Sequence, residues 1–214
     1  MRVVIAGGHG QIALLLEKKL AERGDSAVGI VRNPDHVEDL EKAGAEAVVL
    51  DLEQADVAAV AEVVEGADAV VFAAGGGPDS GVARKETVDK GAAVLLADAA
   101  EQAGVRRYVM VSSMGTDGAD PDSQEVFQVY LRAKKAAEDE VRARDLDSTV
   151  VRPGGLTDDE PTGRVQVGSL SRGEIPRADV AAVLVAVLHD DATAGSTFDL
   201  LSGHQTIEAA LAGL

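Results

Sequence analysis

The amino-acid sequence predicts an α/β protein built on a doubly wound, parallel β-sheet, and three observations support this. The chain opens with a strand that runs directly into a glycine-rich turn and a helix. Five further short apolar segments then alternate with helical segments, and strands that are apolar throughout are typical of a parallel sheet covered by helices on both faces. Hydrophobic residues make up 46% of the 214 residues but aromatic residues only 2%, so an aliphatic core is expected.

The first strand, turn and helix form the most specific unit. Residues 2–6, with the sequence RVVIA, predict a buried strand, and leucines at 14–16 and 20 recur at helical spacing. The turn between them has the pattern G-x-x-G-x-x-A, and the free N–H groups of a helix that opens there suit a pyrophosphate. The alternative is a strand–turn–helix connection that binds no ligand. The candidate binding residues are Gly7, Gly8, His9, Gly10, Gln11 and Ile12.

The other elements follow from the same alternation along the chain. Strands are predicted over residues 26–31, 47–50, 69–72, 108–111 and 148–151, and helices over residues 35–43, 56–64, 87–103 and 125–144. Asp56 is expected to cap one helix and Gly104 to end another, and the charged run 138–140 is expected to lie on a polar helix face.

Past Pro153, a helix is predicted over residues 177–189 and a strand over residues 196–201. Six consecutive strands with right-handed crossovers give one doubly wound sheet, and the remaining 60 or so residues are too few for a second full domain. We therefore expect a single domain over residues 1–214, in which the part from about residue 153 to residue 214 contributes a small lid.

The composition excludes several classes of function. A net charge of −17 repels the phosphate backbone, so nucleic-acid binding is not expected. The chain has no cysteine, and its four histidines show no ligand spacing, so no metal site is expected. The longest apolar run, residues 180–188, is too short to span a bilayer, and the strand at residue 2 leaves no room for a signal peptide. We expect a cytoplasmic monomer or homodimer with no membrane partner.

Residues that follow the strands of a parallel sheet meet at one edge, where ligands bind. The second strand ends at Arg32, where NAD-binding proteins have an acidic residue. A guanidinium can bind a 2′-phosphate through two parallel hydrogen bonds. At about 1.5–3 kcal/mol for a charged hydrogen bond, this predicts a roughly tenfold to hundredfold preference for NADP. Arg32 could instead be a solvated surface residue.

The other strand ends offer further contacts for a dinucleotide. Asp51 and Leu52 follow the third strand, where the carboxylate suits the adenine amino group; the alternative is a cap for the next segment. Ala73, Ala74 and Gly75 follow the fourth strand, where a ribose could lie against the backbone; a flexible loop is the alternative. Beyond the sixth strand, a nicotinamide amide could meet the backbone of Pro153, Gly154, Gly155 and Leu156.

Tyr130 and Lys134 place a phenol and an ammonium four residues apart on one predicted helix, so the two side chains share a face. A phenol with a pKa near 10 acts as a general acid/base near neutrality only if that pKa falls by about three units. The lysine charge and a nicotinamide charge could supply this, while Ser113, after the fifth strand, could hold a substrate carbonyl. The alternative is a tyrosine packed in the core beside a solvated lysine.

These motifs together resemble the short-chain dehydrogenase/reductase superfamily, and in particular its atypical branch of NAD(P)-binding, NAD-dependent epimerase/dehydratase-like proteins. The resemblance covers essentially the whole chain and is carried by residues 6–13, 31–34, 111–113, 130–134 and 152–158. It implies a Rossmann fold in which Tyr130 is the acid/base, Lys134 holds the nicotinamide ribose and lowers the tyrosine pKa, and Ser113 orients the substrate. Asp89 stands where the superfamily usually has a fourth residue, an asparagine.

The resemblance implies an NADP-dependent oxidoreductase that transfers a hydride to or from a small carbonyl or alcohol, with NAD as the weaker cofactor. The chain lacks the length for the large C-terminal domain that selects nucleotide sugars in extended members of the superfamily. Two alternatives remain: a redox sensor that binds NADP without turnover and signals to a partner protein, and an epimerase or dehydratase that holds its cofactor tightly.

Overall fold

The computed structural model describes residues 1–77 and 81–214, which form a nine-stranded central sheet flanked by helices and a separate two-stranded sheet. The strands are β1 (Arg2–Ala6), β2 (Ser26–Val31), β3 (Glu46–Val49), β4 (Ala69–Phe72), β5 (Arg107–Val111), β6 (Asp147–Pro153), β7 (Gly155–Thr157), β8 (Arg164–Gly168), β9 (Glu174–Pro176), β10 (Thr197–Ser202) and β11 (Gln205–Thr206). The helices are α1 (Gln11–Arg23), α2 (Val37–Lys42), α3 (Val57–Val64), α4 (Val82–Arg84), α5 (Ala93–Ala103), α6 (Val126–Arg142), α7 (Arg177–Leu188) and α8 (Ile207–Leu211).

The predicted doubly wound parallel sheet is confirmed. The first six strands are parallel and lie in the order β3-β2-β1-β4-β5-β6. Asp56 caps α3 by accepting a hydrogen bond from the Ala59 N–H at 2.9 Å, and Gly104 ends α5 with a φ of 72°, both as expected. The strand order reverses between β1 and β4, and ligands of such sheets bind beyond the carboxyl ends of the strands at this reversal.

The chain beyond β6 extends the same sheet. β10 pairs with β6 in parallel, and β8 lies between β10 and β11, antiparallel to both. The sequence does not predict β8 because the strand lacks an apolar run: Val165 is the one fully buried residue among its five. β7 and β9 form the separate parallel pair, and β7 begins two residues after β6 ends.

The helix predicted over residues 87–103 departs most from expectation. Helical structure begins earlier, at Val82, and between α4 and α5 it takes the form of a π-helix, Lys85–Ala92, which we call the π segment. π-Helices have wider turns than α-helices and often occur at functional sites. Lys85 and Asp89 are among the buried residues of the π segment, so two charged side chains lie inside the protein. A periodicity of 3.6 residues does not predict this arrangement.

The core lies in two layers, one on each face of the sheet, and it is aliphatic as the composition predicts. One layer contains α1 and α7, and the other contains α3, α5 and α6. Tyr108 is a large exception, fully buried with its hydroxyl donating to the Ala93 carbonyl at 2.9 Å. Within the described part of the chain, no helix combines the length and the apolar character required to cross a membrane.

A carboxylic acid is buried beneath the first turn. Glu17, in α1, is fully buried, and neither of its carboxyl oxygens has a hydrogen-bond partner among the described residues. Gly29, in β2, makes the space for it, because a Cβ atom at position 29 would lie 2.6 Å from Glu17 Oε1. Burial raises the pKa of Glu17 to about 8, so the side chain is largely protonated at neutral pH.

Glu17→Gln is expected to remove a pH dependence from the stability of the protein. The ordinary pKa of this group is 4.5, so the native state binds a proton that the unfolded chain releases, and stability falls as pH rises from 4.5 to about 8. At about 1.4 kcal/mol per pKa unit, the loss is about 3 kcal/mol between pH 5 and pH 8. Glutamine does not ionise, so the free energy of unfolding of the variant should not show this fall. Relative to the wild type, the variant should therefore be about 3 kcal/mol more stable at pH 8 than at pH 5, as measured by urea unfolding at both pH values.

Glu22→Gln is the matched control, because Glu22 lies exposed on the same helix. Its free energy of unfolding should follow that of the wild type at both pH values. A constant difference between Glu17→Gln and the wild type would show that Glu17 is already ionised in the native protein at pH 5.

Candidate functional site

Two adjoining cavities lie along the carboxyl edge of the sheet, beside the glycine turn. We refer to them as the Arg32 cavity, of about 370 Å³, and the Tyr130 cavity, of about 660 Å³. The residues after β1, β2, β3 and β4 line the Arg32 cavity, and those after β4, β5 and β6 line the Tyr130 cavity. Gly10, Ala73, Ala74 and Gly75 line both. The strand ends therefore converge where the topology predicts a ligand.

The turn between β1 and α1 is built for close approach to the backbone. Gly7 has a φ of +85°, and a Cβ atom there would lie 2.6 Å from the Ala74 Cα, so any larger residue is excluded. α1 begins after Gly10 with no acidic residue in its first turn and, among the described residues, with no side chain that caps its N-terminus. The first N–H groups of α1 and its partial positive charge are thus available to an anion, and they fit a pyrophosphate.

Most of the residues proposed from sequence line these cavities. In the Arg32 cavity they are Gly7, His9, Gly10, Arg32, Asp51, Leu52, Ala73, Ala74 and Gly75. In the Tyr130 cavity they are Gly10, Ile12, Ala73, Ala74, Gly75, Asp89, Ser113, Tyr130, Lys134, Pro153, Gly154 and Leu156.

Three of the proposed residues line neither cavity. Gly8 is buried against β2, where a Cβ atom would lie 2.8 Å from the Gly29 Cα, so it serves the packing of the turn. Gln11 is exposed. The Gly155 N–H donates to the Gly173 carbonyl at 2.9 Å, which ties β7 to the segment before β9. For these three, the expected contact with a cofactor finds no support in the shape of the cleft.

Arg32 lies at the end of β2 and takes part in a charged network. Its guanidinium is 3.1 Å from Glu53, which also accepts hydrogen bonds from Arg84 at 3.1 Å and from the Thr87 hydroxyl at 2.6 Å. The Thr87 hydrogen bond and the two arginines lower the pKa of Glu53, although partial burial opposes them. Because Glu53 is negatively charged and paired with Arg32, an anion that binds Arg32 must compete with it.

The neighbouring polar residues of the Arg32 cavity are partly committed to local contacts. The His9 ring stacks on His36 with centroids 3.5 Å apart, and its Nε2 lies 2.9 Å from Asp39. Asp51 accepts a hydrogen bond from the Glu53 N–H at 3.0 Å, which is the local capping role that the sequence left open. Asp51 nevertheless lines the cavity, so the cap does not exclude a contact with a ligand.

Lys134 is buried rather than solvated. Its Nζ lies 3.4 Å from Asp89 and donates hydrogen bonds to the carbonyls of Ala74 at 3.2 Å and Val111 at 3.3 Å. The same ammonium is 5.9 Å from the centroid of the Tyr130 ring. Lys134 therefore joins the ends of β4 and β5 to the π segment and lies beside the phenol.

Asp89 and Ser113 complete the group of residues proposed from sequence. Asp89 is fully buried and also accepts a hydrogen bond from the Gly76 N–H at 3.2 Å. The Ser112 hydroxyl is committed to the buried carboxylate of Glu138, to which it donates at 2.5 Å. The Ser113 hydroxyl donates a longer hydrogen bond, to the Met114 carbonyl at 3.3 Å, and it lines the Tyr130 cavity, so it is the serine that can serve a ligand there.

The protein's own groups shift the pKa of Tyr130 upward, whereas the expected fall relies on the charge of Lys134 together with that of a nicotinamide. Burial, together with the negative charge of Asp89, raises the pKa of Tyr130 to about 12, and the hydrogen bond with Ser113 only partly opposes the rise. Lys134, which is paired with Asp89, does not offset this rise. Burial also lowers the pKa of Lys134 itself, against the effect of Asp89. Tyr130 is therefore protonated at neutral pH and suited to donate a proton.

Sequence reasoning missed two charged residues of this region. Lys85, on the π segment, lines the Tyr130 cavity with its Nζ 5.3 Å from the ring centroid of Tyr130. Glu138 was expected on a polar helix face but is fully buried. The burial of Glu138 could have been predicted from its spacing, because Tyr130, Lys134 and Glu138 follow one another at intervals of four residues and share one face of α6. Within residues 1–77 and 81–214, no group of three or more potential ligands could hold a metal ion.

Known proteins resemble this chain over nearly its whole length. Residues 7–191 match a family model described as NAD(P)H-binding. YhfK of Bacillus subtilis, described as an uncharacterized sugar epimerase, is 35% identical over 213 residues, which cover 99% of both chains. A solved structure from Bacillus halodurans, assigned provisionally to the NAD-dependent epimerases/dehydratases, is 36% identical with a TM-score of 0.92 and 100% coverage of both chains. The oxidoreductase YlbE of Lactococcus lactis is 26% identical with a TM-score of 0.88, covering 100% of this chain and 96% of its own.

Proposed function

The chain belongs to the NAD(P)H-binding family, and on this premise we propose that it is an NADP-preferring oxidoreductase that acts on a small carbonyl or alcohol. The observation that carries the proposal is the convergence of Ser113, Tyr130 and Lys134 on one cavity that adjoins the glycine turn. A general acid, a hydrogen-bond donor and a cation then lie beside the place where a cofactor's reactive ring would sit.

The two cavities divide the cofactor between them in this proposal. The N–H groups after Gly10 would hold the pyrophosphate, Arg32 the 2′-phosphate, and the backbone from Ala73 to Gly75 a ribose. Gly154 and Leu156 would border the nicotinamide. When bound, the reduced cofactor supplies a hydride to the substrate carbon.

The chain itself supplies the proton and the placement of the substrate. Tyr130, which is protonated at neutral pH, donates its phenolic proton to the carbonyl oxygen, so that an alcohol forms and a phenolate remains. Ser113 donates a hydrogen bond to the same oxygen and orients it. Lys134 stabilises the phenolate by its charge, whereas Asp89 opposes it. The raised pKa of Tyr130 keeps the phenol in the protonated form that reduction requires at neutral pH.

A second candidate is a sensor that binds NADP without turnover. The observation that favours it is the commitment of Lys134, whose ammonium is held by Asp89 and by two backbone carbonyls. A lysine so engaged must give up one of these contacts to reach a ribose hydroxyl. If it keeps them, the dinucleotide binds without the alignment that hydride transfer needs.

A carbonyl screen separates the two candidates. Aldehydes, ketones and quinones are incubated with the protein and NADPH while the absorbance of NADPH is followed, and the binding of NADPH is measured by calorimetry. An oxidoreductase consumes NADPH with at least one class of carbonyl, whereas a sensor binds NADPH with no loss of absorbance. Absence of binding of both NADPH and NADH would contradict both candidates.

Arg32→Ala is expected to weaken NADPH binding by roughly tenfold to a hundredfold and to leave NADH binding nearly unchanged. The physical reason is the loss of a charged hydrogen bond that only the 2′-phosphate can accept. Dissociation constants of both dinucleotides are measured by calorimetry at one fixed ionic strength, because the contact is screened by salt.

Two companion variants sharpen this test. Glu53→Gln removes the carboxylate that competes for Arg32, so it should tighten the binding of NADPH more than that of NADH. Arg106→Ala is the matched control, since Arg106 is a half-exposed arginine paired with Asp145 and Asp147 before β5, at the opposite edge of the sheet. An equal loss of NADPH and NADH binding in Arg32→Ala would contradict the 2′-phosphate contact.

A further inference from the structure

The Tyr130 cavity contains a cation that the proposed reaction does not use. Lys85 is 4% exposed, and its ammonium lines the cavity 5.3 Å from the centroid of the Tyr130 ring. Its Nζ donates one hydrogen bond, to the Gly77 carbonyl at 2.7 Å. An ammonium has three N–H groups, so this contact leaves donors that can serve a ligand.

The charge of Lys85 is not balanced within the described residues. Among the described residues, two lysines and one carboxylate line the Tyr130 cavity, and the carboxylate, Asp89, is paired with Lys134 at 3.4 Å. No carboxylate of the described residues lies within ion-pair distance of Lys85. The described lining thus carries one positive charge in excess, although the chain as a whole has a net charge of −17. A buried charge without a partner is costly, so an anion that enters the cavity gains a preformed site.

Apart from Ser112, Ser113 and Tyr130, the uncharged side chains of the cavity wall are apolar. Ile12, Val111, Val126 and Leu156 line it, together with Phe127, which is 60% exposed at its mouth. Such a wall favours a hydrocarbon or aromatic body over the hydroxyl groups of a sugar. One cation without a carboxylate partner, beside an apolar wall, matches a ligand with one anionic group on an apolar body.

We propose that the substrate is a carboxylate-bearing apolar carbonyl compound or alcohol, and that Lys85 binds its carboxylate while Tyr130 faces its reacting oxygen. The second part rests on the proposed function; the carboxylate site itself does not. Lys85 is then a specificity-determining residue, and the π segment that carries it gives the cavity its preference for anions.

The first experiment measures binding, without turnover. Benzoate and benzamide are titrated by calorimetry into the wild type in the presence of NADP, and the same is done with three variants. Lys85→Gln keeps a donor for the Gly77 carbonyl but removes the charge, and Lys85→Arg keeps the charge. Lys90→Gln removes an equal charge from the same π segment at a position outside the cavity.

The wild type, Lys85→Arg and Lys90→Gln are expected to bind benzoate about tenfold or more tightly than benzamide, and Lys85→Gln is expected to lose this preference. The inference is overturned if the wild type shows no preference, or if Lys85→Gln retains it. Unchanged thermal unfolding of Lys85→Gln shows that the fold is intact. If Lys85→Gln unfolds, Lys85→Arg and the wild-type comparison still decide the matter.

The second experiment separates this inference from the proposed function. Reduction of 3- and 4-carboxybenzaldehyde by NADPH is compared with reduction of their methyl esters. If the wild type reduces the acids faster than the esters and Lys85→Gln does not, both the carboxylate site and the oxidoreductase function are supported. Equal reduction of acids and esters overturns the role of Lys85 and leaves the oxidoreductase standing. Selective benzoate binding with no aldehyde or ketone reduced overturns the oxidoreductase and leaves the carboxylate site standing.

Discussion

Tyr130→Phe is expected to lower kcat/KM for carbonyl reduction by about 10²–10⁴-fold, the range typical for the loss of a general acid, and to leave the affinity for NADPH nearly unchanged. The phenyl ring keeps the packing of Tyr130 on Phe127, at 6.0 Å between centroids, but it has no proton to give. Steady-state kinetics on the best carbonyl from the screen, with calorimetric titration of NADPH, measure the two quantities separately.

The other tyrosine of the chain provides the matched control. Tyr108 is fully buried in the core, and its hydroxyl donates to the Ala93 carbonyl at 2.9 Å. Tyr108→Phe removes that hydrogen bond, so it should cost about 1 kcal/mol of stability and leave kcat/KM unchanged. Turnover by Tyr130→Phe at the wild-type rate would remove the acid role from Tyr130 and assign the proton to water or another group.

The parallel half of the sheet was predictable because its strands carry their signal locally. β1 and β4 are short apolar runs bounded by turns, and burial on both faces requires nothing else of a strand. The structure confirms the fold class, and the match to the NAD(P)H-binding family model confirms the family resemblance. β8 carries no such signal, since its side chains alternate between buried and exposed and its pairing with β10 joins distant parts of the chain.

The parts of the site that depend on backbone conformation were predictable from the sequence. The parts that depend on interactions between charged side chains were less so. The glycine turn follows from conformational need, as the φ of +85° at Gly7 shows. The pairing of Lys134 with Asp89 depends on a π-helical turn that no local sequence pattern predicts. Burial of the phenol, together with the nearby charge of Asp89, raises the Tyr130 pKa, and neither can be read from the spacing of Tyr130 and Lys134. The pKa of a buried group depends on its distances to charged groups that are far away in the sequence, and local sequence patterns do not determine those distances.

Glu138 shows how α6 is held against the sheet. Its buried carboxylate accepts hydrogen bonds from Ser112 at 2.5 Å and from Arg152 Nε at 3.0 Å, and the Arg152 guanidinium also pairs with Asp117 at 2.6 Å. Arg152 is itself 8% exposed. This network joins α6, which carries Tyr130 and Lys134, to the ends of β5 and β6. The register of the proposed acid against Ser113 thus depends on an ion pair outside the reaction.

Arg152→Met is expected to lower the free energy of unfolding by about 3–5 kcal/mol, because it leaves the buried Glu138 carboxylate without its cation. Glu138→Gln should cost less, since Arg152 keeps Asp117 as a partner. Urea denaturation of both variants gives the two values. Arg106→Met is the control: the half-exposed Arg106–Asp145 pair, at 2.9 Å, should contribute less than about 1 kcal/mol.

The double variant Arg152→Met/Glu138→Leu tests the cause of that loss. If the cost of Arg152→Met comes from an unpaired buried charge, removing the charge as well should restore part of the stability, so that the double variant is more stable than Arg152→Met alone. Additive losses would show that the packing of the two side chains matters instead of their charges. The double variant also removes the carboxylate to which Ser112 donates, so its kcat/KM should stay below that of the wild type even where stability is restored.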